Sequence, residues 1–354
     1  MFATISRSTR SRRRFSCALV LFALSHILSA CGNTDAIKSQ PAAEAFHQKD
    51  PSVVRVMSWN VKRNSILPPL GARYESFARI IRALDPDVIA LQEVVGPDVA
   101  KELLQLMNDT APLAEGASWH VHTVSDNAVL SRYPMQHKCG ERVVKHPVPA
   151  WGLPNFHFGF ATALVDLPER FGGKQLLLVA MHNKSGADDV HVRMRQEQSD
   201  STVRWLREHS TVADGTPIII LGDLNVVPDA SQRPLATLLS GDIVDEQTFG
   251  PDITIDWDGT DMADARPSHN GREREFYTWR IDGLPFPPSA LDRIIYTDSV
   301  MSIRRRFVLN TTTLSVHELA QLGLQEFDSL YKGEPGNFDH LPLVADFEFG
   351  VTAR

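Results

Sequence analysis

Ile218-Ile219-Ile220-Leu221-Gly222-Asp223-Leu224-Asn225 is the stretch from which the fold can be read. Four large apolar residues in succession, three of them β-branched, predict a strand buried on both faces. The run stops at Gly222, and two hydrogen-bonding side chains follow at i and i+2. In an extended segment these point the same way, so Asp223 and Asn225 are expected to project together from the strand end. A carboxylate beside an amide suits work on a phosphate: one takes a proton or holds a metal, the other hydrogen-bonds an oxyanion. Gly-Asp-x-Asn alone equally fits an ordinary turn after a strand. Its meaning depends on what the other segments supply.

Working outward, residues 53–59 alternate as a first strand ending at Asn60. Residues 73–84 place Phe77, Ile80, Ile81 and Leu84 at helical spacing, stopped by Asp85-Pro86. A short buried strand over 87–91 delivers Gln92-Glu93. Residues 97–107 predict a second helix with proline in its first turn. Strands are expected over 119–124, 128–130, 160–165 and 175–181, the last ending in His182. Residues 188–208 read as a long polar helix with Val192, Val203 and Leu206 on its core side. A further strand over 291–296 begins at Asp292; others cover 302–308 and 341–349. Residues 134–155, rich in proline and histidine, read as a surface excursion, and 311–337 as irregular. The long segment 250–288 has few aliphatics, and loops of that length are usually functional. Strands followed by helices, twice over and without a dividing linker, predict an α/β protein with two sheets covered by helices, one domain over 53–350.

The 354-residue chain is 43% hydrophobic and 22% charged, the balance of a globular protein with a proper core. Residues 1–30 do not belong to that core. Arg7, Arg10, Arg12, Arg13 and Arg14 precede an apolar stretch too short to span a bilayer as a mature helix, the pattern of an export signal. Ser11-Arg12-Arg13-Arg14-Phe15 resembles a twin-arginine signal, with a generic basic region as the alternative. Leu28-Ser29-Ala30-Cys31 resembles a lipoprotein cleavage box, implying an acyl anchor on Cys31 and a polar tether over 31–52. The expected protein is an exported, membrane-anchored lipoprotein, monomeric and without an obligate protein partner. Its formal charge of −7, more negative without the arginine-rich leader, disfavours non-specific binding of nucleic acid. Cys139 has no pairing partner once Cys17 and Cys31 are accounted for, so no disulfide framework is expected.

Ser58-Trp59-Asn60-Val61, Leu91-Gln92-Glu93-Val94, Asn127-Ala128-Val129-Leu130-Ser131, Gly222-Asp223-Leu224-Asn225, Leu291-Asp292-Arg293-Ile294-Ile295 and Asp339-His340-Leu341-Pro342-Leu343 follow one another in that order. Together they resemble the endonuclease/exonuclease/phosphatase superfamily, the deoxyribonuclease I-like proteins. The resemblance implies a four-layer α/β/β/α sandwich, two mixed sheets face to face with helices outside. It implies metal-dependent hydrolysis of a phosphoester by in-line attack of water. Asn60, Glu93 and Asp339 would hold the metal. Asp223 would activate water or protonate the leaving group, and Asn225 would bind a phosphoryl oxygen. His340 would contact the phosphate or act as base with Asp292 orienting its ring, and His182 would be the second phosphate-contacting histidine. Asp126 stands where the family usually has glycine.

Oxygen ligands without cysteine select a hard cation, Mg²⁺ or Mn²⁺. Arg272, Arg274, Tyr277, Thr278 and Trp279 lie just before Asp292 and are candidates for gripping a phosphate chain or stacking on a base or sugar. Nucleic acid and lipid or sugar phosphoesters are both open as substrates. A silent binding protein on the same scaffold is the alternative of another class, and the completeness of the constellation speaks against it.

Overall fold

The protein, a computed structural model, is described over residues 46–350 except 64, 68–72, 146–155, 210–214, 229, 273, 283 and 331–337. The expected leader, Cys31 and most of the tether lie outside the described residues. Among the described residues twelve strands run in chain order: β1 (Val54–Asn60), β2 (Val88–Gln92), β3 (His120–Val124), β4 (Asn127–Ser131), β5 (Met135–Lys145), β6 (Phe156–Asp166), β7 (Gln175–His182), β8 (Ile218–Asp223), β9 (Ala263–Asp264), β10 (Asp292–Tyr296), β11 (Met301–Val308) and β12 (Leu343–Phe349). Between them lie α1 (Tyr74–Leu84), α2 (Val99–Thr110), α3 (Asp189–Glu208), α4 (Arg233–Ser240), α5 (Glu246–Phe249) and α6 (Val316–Leu322). The strands form two six-stranded sheets, ordered β11-β12-β1-β2-β4-β3 and β5-β6-β7-β8-β10-β9. Both are mixed: β1 runs parallel to β2 and β7 parallel to β8, and the other pairs are antiparallel.

Alternation along the strands builds the layers. Val54, Val56, Val88, Ala90 and Val129 of the first sheet share one core with Ala161, Leu178, Ala180, Ile219, Leu221 and Ile294 of the second. The odd-numbered partners of β1 and β2, Met57, Trp59, Ile89 and Leu91, turn the other way and pack on α1 and α2 through Phe77, Ile80, Ile81, Leu103 and Met107. On the far side Leu177, Val179, Ile218 and Ile220 meet Val203, Trp205, Leu206 and Leu238 of α3 and α4. The result is helix, sheet, sheet, helix, as the resemblance implies. Strand β8 has apolar neighbours on both faces because its run of four feeds two of these cores.

Several expectations are corrected. Val192 is only partly buried; α3 turns Met194, Arg195, Gln198 and Ser199 inward instead. Residues 135–145, read as part of a surface excursion, form β5, paired with β6; residues 146–155 of that excursion lie outside the description. The segment read as irregular contains α6. Arg304-Arg305-Arg306 lies on β11, an edge strand, where Arg304 pairs with Asp50 and Glu348 at 3.0 Å. Among the described residues no helix is long and apolar enough to cross a membrane.

Candidate active site

Two rungs of neighbouring residues, one on each sheet, form the site. Asn60, Gln92 and Asn127 pair across β1, β2 and β4. His182, Asp223 and Asp292 pair across β7, β8 and β10. Each continues the inward-facing set of its strand, as Ile219 and Leu221 lead to Asp223 or Leu178 and Ala180 to His182. The period of two that fills the inter-sheet space with aliphatics therefore delivers polar groups into its mouth.

Asp223 is the hub. Its Oδ2 accepts a hydrogen bond from Asn60 Nδ2 at 3.1 Å and lies 3.6 Å from His340 Nε2 and 3.7 Å from His182 Nε2. The other nitrogen of each ring is held by a second acid: His340 Nδ1 meets Asp292 at 2.8 Å, and His182 Nδ1 meets Asp126 at 2.6 Å. Burial opposes charge on both rings. The charges of Asp292 and Asp223 and the Asp292 hydrogen bond outweigh it at His340, pushed up to about 10. At His182 the Asp126 hydrogen bond and the charges of Asp223, Asp126 and Glu93 raise the ring to about 9. Both imidazoles therefore stand as cations at neutral pH, a pair of donors on either side of one carboxylate. Burial pushes Asp292 upward against the pull of the His340 charge. Thr278 Oγ1 donates to the same Asp292 oxygen at 2.5 Å, so that oxygen takes two hydrogen bonds.

The expectation of an extended Asp223–Asn225 pair is corrected. Asn225 has φ +49, its N–H donates to Asp223 Oδ1 at 3.0 Å, and its Nδ2 donates to the carbonyl of Asn183 at 2.9 Å. A side-chain-closed turn, not strand continuation, keeps the amide beside the carboxylate. Asn183 opens the loop after β7, which α3 clamps from behind: Arg195 donates to the carbonyls of Lys184 and Gly186 at 2.8 and 2.6 Å.

Glu93 also has positive φ, +63, directly after β2. Its Oε1 accepts from Asn60 Nδ2 at 3.1 Å, so one amide nitrogen bridges Glu93 and Asp223. Asp339 lies in the segment entering β12, and Lys62 Nζ stands 3.3 Å from its carboxylate. Trp59, next to Asn60, donates its indole N–H to the carbonyl of His340 at 2.9 Å. The residues expected at the site thus converge on one mouth of the sandwich.

Asn60, Glu93 and Asp339 carry oxygen and no sulfur, the chemistry that suits a hard divalent cation. The Lys62 ammonium places positive charge at Asp339, while the Asn60 amide turns its nitrogen to Glu93 and its oxygen accepts from the Lys62 N–H at 3.0 Å. The tightest His and carboxylate group among the described residues is a different one, Asp223, Asp292 and His340, with one atom of each within 4.8 Å of the others. Those atoms already form an ion-paired chain, and a histidinium has no lone pair to give a metal.

Of the residues expected to grip substrate, Thr278 is buried against Asp292, and the backbone of Trp279 bridges to His340. Tyr277 is half-buried against His269, and Arg274 is exposed. Arg272 is committed to Glu318 of α6 at 2.5 Å. Asp126 joins the site without having been expected to carry a role in it. Its one signal was the acid in place of the usual glycine, and only the pairing of the sheets shows it facing His182. Gln92 is wholly buried in the first rung with neither amide atom hydrogen-bonded among the described residues.

A model of the Endonuclease/Exonuclease/phosphatase family matches residues 57–313. Among solved structures the chain is similar to an endonuclease/exonuclease/phosphatase family protein from Bacteroides thetaiotaomicron, at 17% identity over 86% of this chain and 100% of that one, TM-score 0.53. It is similar to the human Nocturnin catalytic domain with bound sulfate anion, at 17% identity over 84% of this chain and 95% of that one, TM-score 0.52. It is also similar to the endonuclease/exonuclease/phosphatase from Beutenbergia cavernae DSM 12333, at 19% identity over 85% and 72%, TM-score 0.50. At such identities the likeness is one of fold. Among curated proteins none matches the chain.

Proposed function

The chain belongs to the endonuclease/exonuclease/phosphatase family, and on that premise we propose that it is a divalent-metal-dependent phosphoester hydrolase, a phosphodiesterase, nuclease or phosphatase. The observation that carries the reading is Asp223 between two histidine Nε2 atoms, 3.6 and 3.7 Å away. A carboxylate flanked by two cationic donors is the arrangement an attacking water and a phosphoryl group require together. Asp223 takes the proton from water, while His340 and His182 donate to phosphoryl oxygens whose charge grows in the transition state. Their raised affinity for protons suits donation better than base catalysis, so the base is Asp223. Asp292 and Asp126 hold the rings at their Nδ1 atoms and leave Nε2 aimed at substrate. Asn225, fixed to Asn183, adds an amide donor.

Asn60, Glu93 and Asp339 would hold Mg²⁺ or Mn²⁺, which supplies polarisation of a phosphoryl oxygen and stabilisation of the leaving oxyanion. Export and acylation at Cys31 would place this chemistry outside the cytoplasm; a Cys31→Ser chain that still incorporates labelled fatty acid would discard the anchor. The test of the catalytic reading is His340→Ala and Asp223→Ala assayed on bis-p-nitrophenyl phosphate. Each is expected to lower kcat about a hundredfold or more with an unchanged circular dichroism spectrum. Full activity in either folded variant overturns the assignment.

A further inference from the structure

The excursion between Trp279 and Ser289 is built unlike an ordinary connector. Its neck is closed by Trp279 N–H to Ser289 O at 2.9 Å and Ser289 N–H to Trp279 O at 3.0 Å. The same neck lies along the catalytic segment, with Arg280 N–H on Asp339 O at 2.9 Å and Leu341 N–H on Thr278 O at 2.7 Å. Beyond it runs Leu284-Pro285-Phe286-Pro287-Pro288, every residue exposed, with Leu284 at 48% and Phe286 at 62%. Five successive apolar residues in water are an error of design unless they meet something. Three prolines fix the backbone, so the apolar side chains are presented rather than free to fold back. We propose that this run is a lipid-surface contact that seats the catalytic mouth on a membrane leaflet, so that the site takes amphiphilic phosphoesters; this rests on the hydrolase reading above.

Charge chooses the occupant. The charged groups of the excursion, Arg280 and Asp282, pair with each other at 2.7 Å, and the apolar run carries none. Lys62 at the mouth is paired with Asp339, and the whole chain carries −7. A nucleic acid needs a field of positive charge along its backbone, which the run lacks, and Phe286 is its one aromatic ring, too few for the successive stacking that holds a strand without such charge. A neutral apolar ridge beside a phosphate-directed cleft matches a leaflet, in which apolar tails and phosphoester lie a few ångströms apart. Trp279 at the neck, with Phe286 at 6.5 Å, supplies the aromatic pair that favours the headgroup level.

The test uses the full chain carrying Phe286→Trp, with Val316→Trp on α6 as a control at a site more exposed still, 84% against 62%, but outside the run. Each is mixed with phosphatidylcholine vesicles whose acyl chains are brominated. The tryptophan added at 286 is expected to lose about half its emission or more, and that at 316 none. In parallel, the Leu284→Ser, Phe286→Ser double variant is expected to cleave vesicle phospholipid about tenfold more slowly and bis-p-nitrophenyl phosphate within about twofold of the parent. Equal quenching at both positions, no quenching at 286, or equal loss on both substrates overturns the lipid contact. Dimers that Phe286→Ser dissolves, without quenching, assign the ridge to a second copy and overturn it too. Quenching at 286 alone in a protein that hydrolyses neither ester supports the contact and removes the hydrolase reading.

Discussion

Asp126 stands to His182 as Asp292 stands to His340: each carboxylate receives the ring's Nδ1, at 2.6 and 2.8 Å, and leaves Nε2 turned toward Asp223. Each dyad spans the two sheets: Asp126, on the turn before β4, meets His182 of β7, and His340, just before β12, meets Asp292 of β10. If Asp126 acts only through the ring it holds, its loss should be masked once the ring is gone. A double-mutant cycle of Asp126→Ala and His182→Ala is expected to show each change lowering kcat about tenfold or more, with the double variant no slower than His182→Ala. Independent, multiplying losses would separate Asp126 from His182. Asn60, Glu93, His182, Asp223, Asp292 and His340 were legible because each ends or begins an apolar run. Asn225 is legible as the partner of Asp223 but its positive φ is not, and the role of Asp126 is not, because a turn has no periodicity and only the cross-sheet partner places that acid.

At the scale of the element, the strand that opened the reading depends on Gly222. It has φ +138, and a Cβ there would fall 1.9 Å from the backbone oxygen of Met181 on β7. Gly222→Ala must push β8 from β7 at the residue next to Asp223. It is expected to cost about 1–3 kcal/mol or more in chemical denaturation, together with most of the activity. A variant of unchanged stability would contradict the close approach. Helix α6, in a segment expected to be irregular, starts at a reciprocal capping box of Ser315 and Glu318, the S-x-x-E signature of a helix start. Hydrogen bonds from Arg272 and Ser315 hold Glu318 down at about 2. A carboxylate depressed in the folded state stabilises it above its ordinary value near 4.5 and loses that contribution as pH falls toward about 2. The melting-temperature gap between the parent and Glu318→Gln is therefore expected to be full at pH 6 and to close through that acid window. A gap independent of pH would show that the charge of Glu318 does nothing for α6.

For the whole molecule, two sheets covered by helices are readable because strand period and helix period each assign one face; their face-to-face order is what the family resemblance implies, and the three cores among the described residues match it. Strand β5 was hidden among prolines and histidines, and its pairing with β6 is a long-range fact that local pattern does not carry. Convergence of the site follows from the same architecture. Register alone aligns Asn60, Gln92 and Asn127 on one sheet and His182, Asp223 and Asp292 on the other, at one mouth. Substrate choice does not follow from it, because Arg272, Tyr277 and Thr278 are all engaged with protein partners. The most direct measurement is the hydrolysis rate of bis-p-nitrophenyl phosphate by the purified chain with Mg²⁺ or Mn²⁺, repeated in EDTA and with Glu93→Gln. The account predicts turnover that chelation abolishes and that Glu93→Gln lowers about a hundredfold or more. Turnover undiminished by chelator, or none with either cation, would contradict it.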